Sequence, residues 1–145
     1  SGCRASLFVT GRVLNYMDTQ IPMVEQFRKE MLAAFPDREN RLSAWTFEGW
    51  AGAMWFTDAA ESCGAELTRV CVEQFMNRPE GYDAHGIFDT RYFRVGTPGE
   101  STGTNCLTVA RWDDAAYGGT GGWVSQTPVG ELVCYDTPNV EYDAS

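Results

Sequence analysis

The fold of this chain is decided by residues 45–64, which read Trp-Thr-Phe-Glu-Gly-Trp-Ala-Gly-Ala-Met-Trp-Phe-Thr-Asp-Ala-Ala-Glu-Ser-Cys-Gly. The run is long enough for several helical turns, and its apolar residues cover most of the helix circumference. A helix that is apolar on nearly all sides is typical of a protein interior, so the pattern predicts a buried helix. Gly64 is well placed to end it. Glu48 and Asp58 make the run too polar for a membrane span.

Helical patterns dominate residues 20–78, and short strand patterns follow residue 86. Pro22 and Pro36 bracket an amphipathic helix, and Thr68 is placed to cap a third helix. The predicted strands are Leu7–Val9, Gly86–Phe88, Arg91–Val95, Cys106–Ala110, Trp123–Val124 and Leu132–Tyr135, with Gly118–Gly122 as a hairpin loop. The sequence therefore predicts a mixed α/β fold, with a helix-rich part (1–80), a strand-rich part (81–135) and a polar tail (136–145).

Composition narrows the class of protein. The chain has 145 residues, which favours one domain, and its 11 basic against 20 acidic residues give a net charge of −9. Nucleic acid carries a dense negative charge and is recognised by basic patches, which this sequence lacks. The sequence therefore predicts no nucleic-acid partner.

The five cysteines indicate disulfides. Cys63 and Cys71 flank a short loop and a helix start, and Cys106 and Cys134 lie on two predicted strands, so we expect the bridges Cys63–Cys71 and Cys106–Cys134. Cys3 is then left over. Bridges indicate an oxidising, exported location. Because the sequence opens on Ser-Gly-Cys without a signal peptide, we expect a mature product or a fragment.

No motif for catalysis, for phosphate binding or for a metal stands in the sequence. The one histidine, His85, lies beside Asp83 in a predicted loop, which favours a surface histidine over a catalytic pair. We therefore expect a protein that is not an enzyme, with no metal and no cofactor.

The start of the tryptophan-rich helix is the candidate ligand site, formed by Trp45, Thr46, Phe47 and Glu48. Exposed N–H groups at a helix N-terminus bind carboxylates, aromatic side chains wall apolar pockets, and a carboxylate holds an ammonium group. The alternative is structural: the aromatics pack the core and Glu48 complements the helix dipole.

The order of these signals resembles a known family. A strand, a Pro-led helix, Trp-Thr-Phe-Glu-Gly-Trp-Ala-Gly-Ala, and Cys-Gly-x-x-Leu-Thr-Arg-x-Cys-Val at 63–72 follow one another, and then come Gly-Ile-Phe and further strands. Over residues 5–126 this resembles the C-terminal third of a type I extracellular solute-binding protein. The most similar class is the branched-chain amino-acid receptors of ABC importers, and the stretch at 63–72 is similar to actinobacterial members.

This resemblance implies a two-lobed fold with parallel sheets that closes on a small ligand. Helices 20–78 would belong to one lobe and the strands after 86 largely to the other. The position before the buried helix would face the cleft, which maps onto Trp45 and its neighbours Phe47 and Glu48, with Thr46 beside them. The other two-thirds of such a receptor would lie outside this chain. Its partners would be the ligand, that missing N-terminal portion and a membrane permease, at the outer face of the membrane as a lipoprotein.

Two alternatives remain open at this point. A module of the same fold would sense a ligand and signal to a membrane partner. An independent carbohydrate- or protein-binding domain would present Trp112, Tyr117 and Trp123 as an exposed aromatic platform, although aromatic residues also pack commonly within sheets.

Overall fold

The computed structural model of this chain describes residues 3–91 and 104–136. It confirms a mixed α/β fold. The helices are α1 (Pro22–Ala34), α2 (Ala44–Cys63), α3 (Arg69–Met76) and the single turn α4 (Ala116–Gly119), with 3-10 turns at Arg4–Ser6, Pro36–Arg41 and Gly64–Glu66. The strands are β1 (Phe8–Gly11), β2 (Thr104–Asp113), β3 (Gly122–Ser125) and β4 (Val133–Asp136).

The long strand β2 is the centre of the sheet, because each of the other three strands pairs with it. β1 pairs with Thr108–Arg111, β3 with Ala110–Asp113, and β4 with Thr104–Leu107. Every one of these pairings is antiparallel. The expectation of parallel sheets is therefore wrong for the described residues. Helices are not needed as crossovers between antiparallel neighbours, and β2 and β3 are joined by the predicted hairpin loop.

The helix ends follow local signals in the sequence. α1 begins at Pro22, whose fixed φ suits the first helical position. The Thr68 hydroxyl accepts a hydrogen bond from the Cys71 amide at 3.2 Å and caps α3. Gly64 stands after the last residue of α2 with φ +55°, a conformation that other residues rarely adopt. The predicted bounds of the three helices are confirmed to within a few residues.

The expectation that α2 is buried on nearly all sides is wrong. Only Phe47, Ala51 and Ala59 of this helix are buried, while Trp45 is 81 % and Phe56 60 % exposed. One face of α2 packs against α1 and the loop after α3, and α3 contacts α2 as well.

The hydrophobic core lies between the helices and two loops. Phe27 of α1 contacts Phe47 of α2 with ring centroids 4.7 Å apart, and Trp55 stacks on Tyr82 at 4.9 Å. The buried cluster combines side chains from α1, α2, the segment after β1, the link between α1 and α2, and the loop after α3: Val13, Leu14, Val24, Phe27, Leu42, Phe47, Ala51, Tyr82, Ala84, Ile87 and Phe88. In the sheet, Thr108 and Ala110 are buried.

The predicted strand Gly86–Phe88 is not formed. Ala84, His85 and Gly86 all have positive φ, and such a left-handed turn cannot belong to a strand. Phe88 makes only an isolated antiparallel bridge with Val13. The predicted strand Arg91–Val95 begins at an isolated bridge between Arg91 and Tyr82, and its residues 92–95 lie outside the described residues.

Both predicted disulfides are confirmed. Cys63–Cys71 links the end of α2 to α3, and Cys106–Cys134 joins β2 to β4 at directly opposed positions. Cys3 carries a free, exposed thiol. Two bridges indicate an oxidising, extracellular environment.

The sheet draws strands from both of the predicted parts of the chain, since β1 lies within 1–80 and β2, β3 and β4 within or next to 81–135. The predicted polar tail begins at Asp136, the last residue of β4, and its residues 137–145 lie outside the described residues.

Candidate ligand-binding groove

A groove separates the first turn of α2 from the sheet. Its inner part has a volume of about 210 Å³. The walls come from β1, the loop after it, the start of α2 and the facing residues of β2 and β3: Val9, Thr10, Gly11, Val13, Leu14, Asn15, Tyr16, Ser43, Ala44, Trp45, Thr108, Ala110 and Trp123. Most of these side chains are apolar or aromatic, as in small-molecule sites.

The groove continues outward past Trp45. This outer part, about 480 Å³, shares β1 and Trp45 with the inner part and adds Arg12, Glu48 and residues 105–107 of β2. Trp45 and Glu48 are three residues apart on α2, so they lie on neighbouring positions of one helix face. One helix turn thus brings an indole and a carboxylate to the same opening.

The position of Trp45 is fixed by a capping box at the start of α2. The Ser43 side chain accepts from the Thr46 amide at 3.3 Å, and the Thr46 hydroxyl accepts from the Ser43 amide at 2.8 Å. The Thr46 hydroxyl also donates to the Ser43 carbonyl at 2.9 Å. The geometry therefore places Thr46 as a partner of the helix cap, and places the adjacent Trp45 side chain over the groove.

The four residues of the predicted site have three different environments. Trp45 lines both parts of the groove, and Glu48 lines the outer part. Phe47 is fully buried between Phe27 and Trp50, and Thr46 belongs to the cap. The structure therefore brings Trp45 and Glu48 together at the groove and turns Phe47 into the core behind it.

The charged side chains at the outer part of the groove form a row in which positive and negative charges alternate. Arg12 lies 3.1 Å from an Asp89 oxygen, and Arg91 lies 3.8 Å from the other Asp89 oxygen. Arg91 also approaches the Glu48 carboxylate at 4.0 Å. Glu48 and Arg91 are both about one-third exposed, so this last contact is weak. Both charges that line the outer groove therefore have partners of opposite sign.

A polar network that sequence analysis missed holds the inner wall. The Asn15 amide donates to the Trp123 carbonyl at 2.8 Å and to the Ser125 hydroxyl at 3.0 Å. Ser125 donates to Asp18 at 2.6 Å. Burial raises the pKa of the Asp18 carboxyl above its ordinary value, and the Ser125 hydrogen bond opposes that rise. The only sequence signal was the cluster of Asn15 and Asp18 in a loop, which is common in turns.

A second polar cluster joins α2 to the left-handed turn. Asp58 accepts hydrogen bonds from the Tyr82 hydroxyl at 2.6 Å and meets the His85 Nε2 at 2.9 Å. Burial and the hydrogen bond to Asp58 raise the pKa of Tyr82 above its ordinary value, so its hydroxyl stays protonated and donates. The His85 side chain is 56 % exposed, in agreement with a surface histidine, and its partner is Asp58 rather than the adjacent Asp83.

The three residues of the predicted aromatic platform gather at one end of the sheet. Trp112 and Trp123 are opposed in the β2–β3 register, and their rings meet edge to face at 5.3 Å. The Tyr117 hydroxyl donates to the Trp123 carbonyl at 3.0 Å. Tyr117 is exposed, whereas the two tryptophans are half-buried. Trp123 also lines the inner groove, so the two candidate surfaces share one residue.

Within residues 3–91 and 104–136, no group of three acidic, histidine or cysteine side chains is arranged to hold a metal ion. The helices in this part of the chain include none with the length and hydropathy of a membrane span. Comparison with protein-family models, curated proteins and solved structures finds no match to this chain.

Proposed function

We propose that this chain is an extracellular, non-catalytic binding module whose small-molecule ligand occupies the groove beside α2. The observation that carries the proposal is the exposure of Trp45, which is 81 % accessible while it stands over a groove lined by apolar side chains. A large aromatic ring at the rim of an apolar groove gains stabilisation only when a ligand covers it.

A thermal-shift screen of amino acids, sugars and small aromatic compounds, followed by calorimetry on the best binder, tests this proposal. Trp45→Ala is expected to weaken binding by about 2–4 kcal/mol, as for a buried aromatic contact. Phe56→Ala is the matched control, because Phe56 is an exposed aromatic of the same helix and lines neither part of the groove. Equal affinity in wild type and Trp45→Ala would remove Trp45 from the site.

The wider role in an ABC importer rests on the resemblance of the sequence. In this proposal the module captures an amino acid or a related molecule, works with the missing N-terminal portion of a receptor and delivers the ligand to a membrane permease. A lipoprotein anchor at the outer face of the membrane belongs to the same proposal. Loss of uptake in a strain without this gene, restored by the wild-type gene but not by Trp45→Ala, supports import; unchanged uptake with altered signalling supports the sensory alternative.

A second candidate function is favoured by the grouping of Trp112, Tyr117 and Trp123. Sugar rings stack on exposed aromatic faces, and these three residues lie together on one surface. Trp112→Ala separates the two candidates better than Trp123→Ala, because Trp123 also lines the groove and Trp112 does not. Glycan-array binding that is lost in Trp112→Ala and kept in Trp45→Ala favours the platform.

A further inference from the structure

We infer that the groove selects an uncharged ligand with an aromatic or branched apolar body, and that it rejects the same body when an amino-acid head group is attached. This inference rests on the proposed function and names the ligand class of that site. It narrows the ligand of the proposed importer role, an amino acid or a related molecule, to related molecules that lack the amino-acid head group.

Three polar side chains of the inner groove, those of Asn15, Thr108 and Ser43, are already engaged within the protein. Asn15 donates both of its amide hydrogen bonds to Trp123 and Ser125, and its oxygen accepts from the Met17 amide at 3.1 Å. The Thr108 hydroxyl donates to the Val13 carbonyl at 2.8 Å, and Ser43 caps α2. A ligand that brings charged groups here would lose its hydration without gaining these partners, which is strongly unfavourable.

Each of the two ionic side chains of the outer groove has a neighbour of opposite charge, in a close contact for Arg12 and a weak one for Glu48. Arg12 is paired with Asp89 at 3.1 Å, and Glu48 faces Arg91 at 4.0 Å. A ligand carboxylate would compete with Asp89 for Arg12, and a ligand ammonium would share Glu48 with a resident guanidinium. Within the row Arg12, Asp89, Arg91 and Glu48 each charge already has a neighbour of opposite sign, which offsets part of its attraction for either end of a zwitterion.

Size and shape agree with a ligand of one or two rings. An apolar cavity of about 150 Å³ accepts a benzene-sized molecule, and the inner groove has about 210 Å³. Three aromatic side chains, those of Tyr16, Trp45 and Trp123, stand on its walls. Flat neutral rings stack on such side chains and keep most of their surface away from water.

Paired probes that differ only in the head group test the inference by calorimetry on the full chain: indole against tryptophan, and isopentanol against leucine. We expect the neutral member of each pair to bind saturably and at least tenfold more tightly than the amino acid. Trp45→Ala should weaken indole binding at least tenfold. Glu48→Gln should change it less than twofold, because the inference gives Glu48 no ligand charge to meet.

Amino acids that bind as tightly as their neutral partners overturn the inference, and so does a loss of indole affinity above fivefold in Glu48→Gln. If Trp45→Ala weakens the binding of those amino acids, the proposed function stands without the inference. Indole binding that Trp45→Ala leaves unchanged, or no indole binding at all, also overturns the inference. The proposed function also fails only when Trp45→Ala weakens the binding of no compound in the screen.

Discussion

Trp45 and Phe47 stand two residues apart in α2 and have opposite surroundings. Trp45 is 81 % exposed, whereas Phe47 is fully buried against Phe27 and Trp50. Two positions along a helix correspond to a rotation of about 200°, so neighbours at this spacing point to different sides. At the residue scale, one of these aromatics is free to meet a ligand and the other holds the helix in place.

This difference predicts unequal effects of the two residues on stability. Phe47→Ala should lower the free energy of unfolding by about 3–5 kcal/mol, because it removes buried surface and leaves a cavity. Trp45→Ala should change it by less than about 0.5 kcal/mol, as is usual for surface positions. Urea unfolding followed by circular dichroism measures both. A Trp45→Ala variant as unstable as Phe47→Ala would contradict the exposed position of the indole.

The buried Asp18 predicts a pH dependence. Its pKa is raised in the folded protein, so its contribution to stability is full below the unfolded pKa, near 4, and is lost as the pH rises through the folded pKa. Asp18→Asn keeps an oxygen that accepts from Ser125 but does not titrate. Relative to this variant, wild type should gain melting temperature as the pH falls from 7 to 4.

Glu25→Gln provides the control for that comparison, because Glu25 is an exposed acidic residue of α1. Its melting temperature should follow that of wild type across the same pH range. If the melting temperature of wild type instead falls relative to that of Asp18→Asn on acidification, the folded protein favours the carboxylate form of Asp18 over the protonated acid.

At the scale of elements, the capping box decides where α2 begins. Ser43→Ala removes the acceptor of the Thr46 amide and should cost about 1 kcal/mol in the free energy of unfolding. Thr57→Ala is the matched control within the same helix, since the Thr57 hydroxyl only donates back to the Ala53 carbonyl. That change should be neutral within about 0.5 kcal/mol, because such back-bonding does not support a helix. Equal losses in the two variants would contradict the capping role.

The two disulfides should contribute unequally. Cys106 and Cys134 are separated by 28 residues and Cys63 and Cys71 by 8. Loop-closure entropy then predicts a loss of about 3–4 kcal/mol for the Cys106→Ser, Cys134→Ser variant and about 2–3 kcal/mol for Cys63→Ser, Cys71→Ser. Denaturant unfolding of the two double variants measures the difference. A larger loss from the shorter loop would contradict the entropic explanation.

Local chemistry made the ends of elements predictable and left their surroundings undetermined. Pro22, Thr68 and Gly64 act through their own backbone or the next turn, so the sequence is sufficient to place them. The burial of α2 depends on which neighbours pack on it, and apolar composition alone does not state that. The turn at Ala84 and His85 is a similar case, because non-glycine residues adopt positive φ only where the surrounding contacts enforce it.

At the scale of the whole molecule, the sequence predicts site residues that are close along the chain, but not those that strand pairing brings together from distant positions. Trp45 and Glu48 were identifiable because both stand on one turn of one helix. The opposite wall of the groove comes from residues 9–16 and from Thr108, Ala110 and Trp123, which are brought together by strand register. The order of helices and strands is compatible with either parallel or antiparallel pairing, so it predicted the α/β class and not the direction of the strands.

The register of the sheet has a consequence for synthesis of the protein. Phe8 pairs with Arg111, so β1 leaves the ribosome about a hundred residues before its partner is made. The three helices are completed within that interval, whereas the sheet and the groove must wait for β2. Contacts so distant along the chain form slowly. A nascent chain halted before residue 104 therefore holds helices without a binding surface, and the oxidation of Cys106 with Cys134 belongs to the last stage of maturation.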